Sequence, residues 1–343
     1  RYRRFRNAQR LLRIAQNEMR DHVSVVKSLP VYMILDAGPL CNLKCPFCPT
    51  GSNTGNLRRE LLEPEVFATI VHNLPLGSLY EVSLFNWGEP LLNPHLPEYI
   101  RFFAQKGVRT VIHTNFSAAD YDAGFMKTLI SSGLAELTVS VDGASQEAYE
   151  KYRVGGDLKR VLANMELIAH AKQKMKSETP NIVYKMLLNR FNQHEVEDAR
   201  RIAESLNVSF LLQEVIGTPD AQTRAEWTAS NVYDKYGVNP VSSVGKDACE
   251  PIHTECRQLW DSLVVNADGA VFPCCLVCSR KNAVGDLTTQ PFEDVWNGKK
   301  MVLLRKYVLE KYARPPDFPN ACVGCPFRSC DYVFSGELAK DIS

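Results

Sequence analysis

From Val31 to Val215 short apolar runs of β character alternate with longer stretches of helical period, and this alternation limits the fold more than any other feature of the chain. Val31–Ala37, Leu79–Asn86, Arg109–Asn115, Glu136–Asp142, Asn181–Asn189 and Val208–Val215 read as strands. Between them Pro64–Leu74, Leu96–Lys106, Tyr121–Ser132, residues 145–152 and 158–177, and His194–Leu206 read as helices. Pro64 suits a first helical turn, and Gly107 and Gly133 suit helix ends. Strands joined through helices pair in parallel, by right-handed crossovers. Six such units fall short of the eight that close a barrel. The expected fold is α/β: a partial (β/α)6 TIM-like barrel, open on one side, with ligands at the carboxyl ends of its strands.

The loop after the first strand reads Cys41-Asn42-Leu43-Lys44-Cys45-Pro46-Phe47-Cys48. Pro46 and Pro49 disfavour a helix there, so the three thiols converge from a loop. Three thiolates are one short of the set that closes a structural zinc site. They also leave one iron of a cubane cluster without a protein ligand, and an open iron can bind and activate something. A zinc site would have to recruit a histidine, because the next cysteine is 201 residues on.

Composition narrows the field further. Eleven cysteines in 343 residues would mean disulfides in a small secreted scaffold, but this chain is too long to need staples and its cysteines cluster. A net charge of +1 gives no field for nucleic acid. No apolar run approaches the roughly 20 residues of a membrane span. No signal-peptide stretch opens the chain, so a cytoplasmic protein is expected. Residues 1–20 carry seven arginines against Glu18, with Leu11, Leu12, Ala15 and Met19 at helical spacing. That is an amphipathic helix, either lying on the barrel or docking an anionic membrane surface, a lipid-linked substrate or a partner.

The composition changes at Gly217. Residues 217–247 read as a polar linker, with Thr218-Pro219, Asn239-Pro240 and Gly245. From Cys249 to Cys330 there are eight cysteines in 82 residues, a unit expected to lean on metal for stability. Within it Leu263–Val265 is a strand, and Asp268-Gly269 is a hairpin turn leading through Val271-Phe272-Pro273 to Cys274. The expected organisation is a basic helix (1–30), the barrel (31–216), the linker (217–247) and a cysteine-rich module (248–343).

The C-x3-C-x2-C loop, with Phe47 before its third cysteine, resembles the radical S-adenosylmethionine (SAM) superfamily. Asn86-Trp87-Gly88-Glu89-Pro90, 38 residues after Cys48, resembles that family's GGEP motif with Trp87 in the first glycine position. The resemblance implies that Cys41, Cys45 and Cys48 hold a [4Fe–4S] cluster whose open iron takes the amino and carboxylate groups of SAM. One electron then releases a 5′-deoxyadenosyl radical, which abstracts hydrogen from an unactivated carbon. It implies Gly88 and Glu89 at the methionine amino group, and Asn115 and Ser140 at the ribose and carboxylate. Arg153 would be a carboxylate clamp, with a surface arginine as the alternative, and Gln213 and Glu214 would meet adenosine or substrate. Asp142 could instead cap the next helix, and His113 could be a core histidine.

Cys256-x12-Gly269-x4-Cys274, followed by Cys322-x2-Cys325, resembles the SPASM and twitch modules of the same superfamily. This implies one auxiliary [4Fe–4S] cluster on Cys256, Cys274, Cys322 and Cys325. A second cluster on Cys249, Cys275, Cys278 and Cys330, or a zinc ribbon on Cys322 and Cys325, are the alternatives. Cys325 and Cys330 are separated by four residues where the full pattern has five, and no cysteine follows Cys330.

The function expected is that of a radical SAM oxidoreductase or epimerase fed by an external flavodoxin- or ferredoxin-like reductant. Cys249 is the candidate hydrogen donor for epimerisation. Thirty residues before Val31 are too few for a leader-binding domain, which favours a carbohydrate-like or lipid-linked substrate over a peptide. A non-catalytic electron-transfer protein is the reading of a different class.

Overall fold

A computed structural model describes residues 2–54, 57, 59–214, 221–229, 256–277, 279–318 and 322. Six strands run parallel: β1 (Tyr32–Leu35), β2 (Glu81–Ser83), β3 (Arg109–Thr114), β4 (Glu136–Ser140), β5 (Asn181–Leu188) and β6 (Ser209–Glu214). The helices α2 (Pro64–His72), α3 (Leu96–Gln105), α4 (Ala123–Ser131), α5 (Gln146–Tyr152), α6 (Leu158–Lys174) and α7 (Val196–Ser205) connect them. Period-2 alternation sorts the strand side chains onto two faces. Leu35, Val82, Ile112, Val139, Tyr184 and Met186 enter one apolar core with the helices. The opposite face is polar at its floor, where Arg109 pairs with Glu81 and, at 2.7 Å, with Glu136.

Local sequence sets the helix starts. Asp122, Ser145 and Asp157 accept from Phe125, Ala148 and Arg160 amides at the first turns of α4, α5 and α6. Asp142 is therefore not the helix cap: Ser145 takes that position, and Asp142 sits before it at φ 54°. The ladder of β2 is shorter than its apolar run, because the chain turns away through Asn86–Gly88 at the head of the sheet.

The cysteine-rich segment extends the same sheet. After α9 (Gln258–Asp261), β7 (Ser262–Val265) pairs parallel with β1, from Tyr32↔Ser262 to Leu35↔Val265. β8 (Ala270–Phe272) and β9 (Gly285–Asp286) follow antiparallel, giving the order β6-β5-β4-β3-β2-β1-β7-β8-β9. The hairpin turn forms at Asp268-Gly269, with Gly269 at φ 83°. α10 (Phe292–Trp296) and α11 (Lys299–Leu309) complete the described part. Trp260, Trp296 and Leu304 are fully buried and belong to the barrel's own core. Apolar packing, rather than metal alone, therefore holds this segment through residue 318. Arg305 joins three segments, donating to the carbonyls of Leu259 (2.8 Å) and Ser24 (3.3 Å) and to Asn297 Oδ1 (3.0 Å).

The N-terminal helix α1 (Tyr2–Arg20) packs Ala8, Leu11 and Leu12 on Val31, Tyr32 and Tyr80 at the amino ends of β1 and β2. Arg4 is held by the carbonyls of Leu76 (2.8 Å) and Leu79 (2.7 Å). Arg3, Arg6, Arg10 and Arg13 line a groove of about 1110 Å³ with Lys106, at the end of the sheet opposite the cysteine loop. Among the described residues no helix is long and apolar enough to cross a membrane. Within the expected linker, residues 221–229 are described, and they hold a helix, α8 (Ala221–Trp227), rather than irregular chain.

Candidate active site

The cysteine loop leaves the carboxyl end of β1 and is clamped by close backbone approaches. A Cβ on Gly51 would lie 2.5 Å from the amide nitrogen of Cys45, and one on Gly88 would lie 1.8 Å from the carbonyl oxygen of Gly38. The Glu89 amide then donates to the Leu40 carbonyl at 2.7 Å. The turn after β2 thus sits directly on the chain entering the cysteine loop, and only glycine fits at Gly88.

Glu89 is 2% exposed. It accepts from Thr114 Oγ1 (2.6 Å), the Asn115 amide (2.6 Å) and the Leu91 amide (3.0 Å). Burial pushes its pKa up, and these donors pull it back. Its first structural work is to lock the ends of β2 and β3 together. Asn115 extends from that lock to the loop, its Nδ2 donating to Asn42 Oδ1 (2.9 Å) and Cys41 Sγ (3.6 Å). The Leu43 amide also donates to Cys41 Sγ, at 3.4 Å.

Arg153 lies beneath Cys45. Its Nε donates to Asp142 Oδ2 at 2.5 Å and its Nη1 to Cys45 Sγ at 3.8 Å. It is not a surface arginine. Asp142 Oδ1 accepts from the Leu187 amide at 2.6 Å, which ties β4 to β5 at their carboxyl ends. Ser140 is buried at the end of β4, opposite Lys185 of β5. Glu214 ends β6 as expected. Cys249 and Cys325 lie outside the described residues.

Trp227, Asp36 and Lys185 were not signalled by any motif, and they join His113 and Asn86 in shaping the site. Trp227 of α8 sits edge-on to Phe47 (4.8 Å between centroids), Tyr152 (5.9 Å) and Phe191 (5.0 Å), roofing the loop with aromatic rings. Asp36, just past β1, accepts from the Gly38 (3.2 Å) and Trp87 (3.4 Å) amides, and burial raises its pKa to about 6. His113 stacks on Phe85 at 4.0 Å, and burial lowers its pKa well below the ordinary value. Lys185 shares its face of the sheet. Asn86, with its amide turned to satisfy both neighbours, donates to the Cys275 carbonyl (3.3 Å) and accepts from Trp87 Nε1 (3.1 Å). The motif after β2 thereby touches the C-terminal cysteines. There the Cys274 thiol bonds Cys275, which pushes Cys274 well up and Cys275 down, and Cys256 lies close enough to act on Cys275.

Three thiols on one loop, with N–H donors beside two of them, are the donor types an iron–sulfur cluster takes, while among the described residues no three such groups are gathered as on a single metal ion. Burial pushes the Cys41 thiol up to about 11 and raises that of Cys45, the nearby Arg153 guanidinium opposing the latter. Thiols drawn out of water in this way become thiolates only under a strong positive charge, which a cluster's iron supplies. N–H donors already aimed at Cys41 and Cys45 are the groups that tune cluster sulfurs.

A partial parallel barrel with a three-thiol loop at the head of its first strand defines an iron–sulfur enzyme class, and the comparisons agree. Residues 36–202 match the radical SAM superfamily, and residues 256–326 match the SPASM iron–sulfur cluster-binding domain. The chain is a radical SAM enzyme with a C-terminal SPASM domain, and so works with a [4Fe–4S] cluster, SAM and auxiliary iron–sulfur chemistry. It is 23% identical over 338 residues to an AdoMet-dependent heme synthase of Methanosarcina barkeri, covering 88% of this chain and 92% of that one. It is 24% identical over 266 residues to GTP 3',8-cyclase 1 of Mycobacterium tuberculosis, covering 72% and 69%. Among solved structures, Streptococcus suis SuiB bound to S-adenosylmethionine aligns with TM-score 0.63 at 13% identity, over 92% of this chain and 76% of that one. Native anSMEcpe with bound AdoMet and a peptide aligns with TM-score 0.57 at 19% identity, over 88% of each chain. At these identities the structural likeness speaks for the fold alone.

Proposed function

We propose that this protein is a radical SAM oxidoreductase that removes hydrogen from a small organic substrate held on the polar face of the barrel. Cys41, Cys45 and Cys48 would hold the initiating cluster, and Cys256, Cys274 and Cys322, with Cys325, an auxiliary one. When bound, the first cluster supplies the electron that turns SAM into a hydrogen-abstracting radical, and the second offers an acceptor for the electron left on the substrate. The chain's own residues do the rest. Asn115 and Arg153 donate to the thiolates, and Gly88 lets the turn after β2 approach the loop. Phe47, Tyr152 and Trp227 shield the loop from water, as a reactive radical requires.

The observation that carries oxidation is the Asn86 bridge. It links the turn beside the initiating loop to Cys275 through a single side chain, so an electron acceptor would lie next to the site where the radical forms. Epimerisation would need a hydrogen donor such as Cys249, which lies outside the described residues. The relatives aligned over most of the chain are named for heme synthesis and GTP cyclisation, which favours a small metabolite over a peptide. Carbohydrate-like molecules remain within that class.

The test is anaerobic incubation of the reconstituted protein with reductant, SAM and deuterated candidates: sugars, tetrapyrroles and peptides. The expected result is 5′-deoxyadenosine carrying substrate deuterium, with no solvent hydrogen entering the product. Absence of 5′-deoxyadenosine from fully loaded protein sinks the enzyme reading. Solvent deuterium at an inverted carbon replaces oxidation by epimerisation, and deuterium transferred only from peptides overturns the substrate class.

A further inference from the structure

We propose that Lys185 is the recognition group for an anionic substituent, carboxylate or phosphate, of the substrate. The inference rests on the reading of the polar barrel face as the substrate site, and it adds the chemical class of what binds there.

The strand alternation fixes where Lys185 points. Tyr184 and Met186 on either side of it are buried in the core shared with the helices, so Lys185 belongs to the opposite face. Leu187, two residues on, shares that face and packs against the cluster of Leu43 and Cys45 of the cysteine loop and Tyr152 of α5. At about 3.3 Å per residue, Lys185 therefore sits about 7 Å deeper along the sheet than the loop contact. Ser140 is its register partner on β4, and His113 of β3 is near enough for the Lys185 charge to lower its pKa. These groups form a polar band between the thiols above and the Arg109–Glu81–Glu136 floor below.

Within that band the Lys185 ammonium has no hydrogen bond or ion pair among the described residues, while its backbone carbonyl accepts from the Val141 amide (2.9 Å). The charged groups near it are Asp142 and Arg153. Asp142 is already committed, with Oδ2 taking the Arg153 guanidinium and Oδ1 the Leu187 amide. Its attraction on Lys185 is thus opposed by Arg153, and burial pulls the lysine pKa down to about 8. A fold that half-buries an ammonium without a partner carries a standing cost. An anion arriving there relieves it, with the Ser140 hydroxyl and the His113 ring as neighbouring polar groups. A neutral or cationic substrate gives the lysine no purpose. The competing anion is the carboxylate of SAM, for which Ser140 is also a candidate partner, so SAM affinity is measured alongside.

The experiment uses the reconstituted holoprotein with isotope-labelled lysine side chains, followed by nuclear magnetic resonance. The Lys185 signal is identified by its disappearance in Lys185→Met. Acetate and inorganic phosphate are titrated separately, and whichever binds identifies the substituent. Expected is a saturable shift of the Lys185 signal by one of them. Anion-dependent thermal stabilisation should weaken by about ten- to hundredfold in Lys185→Met and be largely retained in Lys185→Arg. Without anion, Lys185→Met should be as stable as the parent or more so. No response to either anion, a marked loss of stability in Lys185→Met, or an equal loss of SAM affinity would each overturn the assignment. Formation of 5′-deoxyadenosine without substrate, measured on the same preparations, separates failure of this inference from failure of the enzyme reading.

Discussion

Gly88 has no room for a side chain, and its conformation alone does not explain why. A methyl group there would meet the Gly38 carbonyl oxygen at 1.8 Å and the Leu40 carbonyl oxygen at 2.8 Å, both backbone atoms that cannot swing aside. Gly88→Ala should therefore displace the turn from the cysteine loop, costing about 3 kcal/mol of stability and lowering cluster loading. Gly77→Ala, where a Cβ meets nothing within 4 Å, should stay within about 0.5 kcal/mol. Iron and sulfide per chain, with denaturant midpoints, read both; a fully loaded Gly88→Ala would refute the clamp. Asp36 supplies a pH prediction. It is 1% exposed, and burial raises its pKa to about 6. A raised carboxyl stabilises the fold below its unfolded pKa and loses that contribution as pH rises through the folded one. Between about pH 5 and about pH 8 the parent should lose about 1 kcal/mol relative to Asp36→Asn, from an unfolded pKa of about 3.9. A difference that is flat with pH would show that the carboxyl is already ionised. Cys41, Cys45, Cys48 and Glu89 could be found from sequence because their spacing is itself the chemical signal. Asp36 and Lys185 could not, since each matters through what lies across the strands, and an isolated Asp or Lys carries no mark of that.

At the scale of elements, the six strands and their helices follow from period and turn residues, and the structure moves their ends by only a few residues. The exceptions are informative. Polar residues and prolines around 217–247 suggest irregular chain, yet α8 forms and brings Trp227 to Phe47, Tyr152 and Phe191. Seven residues of mixed polarity have little helical signal of their own, and the helix is held by tertiary contact: the Trp227 carbonyl accepts from the Arg190 amide at 2.9 Å. Trp227→Ala should remove most of the aromatic roof. A half-buried tryptophan of this kind is worth about 2 kcal/mol. The functional effect should be larger than the loss of stability. Cluster absorbance should bleach faster in air than in the parent, although iron content before exposure is equal. Equal bleaching rates would mean that other residues seal the loop.

At the scale of the whole molecule, the question is whether barrel and SPASM segment are two folding units or one. Cysteine density alone argued for a metal-dependent appendage, because a local sequence cannot reveal which strand it will pair with. The contacts argue otherwise. β1 lies between β2 and β7, so the first strand of the barrel is completed by the C-terminal segment. The Val31 amide donates to Asp261 O (2.8 Å) and the Asp36 amide to Val265 O (2.9 Å) at the two ends of this seam. Trp296 Nε1 donates to Ser28 O at 2.8 Å, and Asn297 closes a two-way bridge with Val26 at 3.0 and 2.9 Å. Removing residues after 216 would strip the partner from β1 and uncover the core around Trp260 and Trp296. The holoprotein should then unfold in a single denaturant transition, with far-ultraviolet circular dichroism and tryptophan fluorescence coinciding. Trp260→Ala, which empties a site of 0% exposure, should lower both curves together by about 3–5 kcal/mol. Two separated transitions, or a fluorescence change that leaves the dichroism midpoint in place, would make the SPASM segment an independent unit. Cluster loss would then have no route to the barrel. With one transition, an auxiliary cluster bound in the SPASM segment would also stabilise β1, from which the initiating loop hangs.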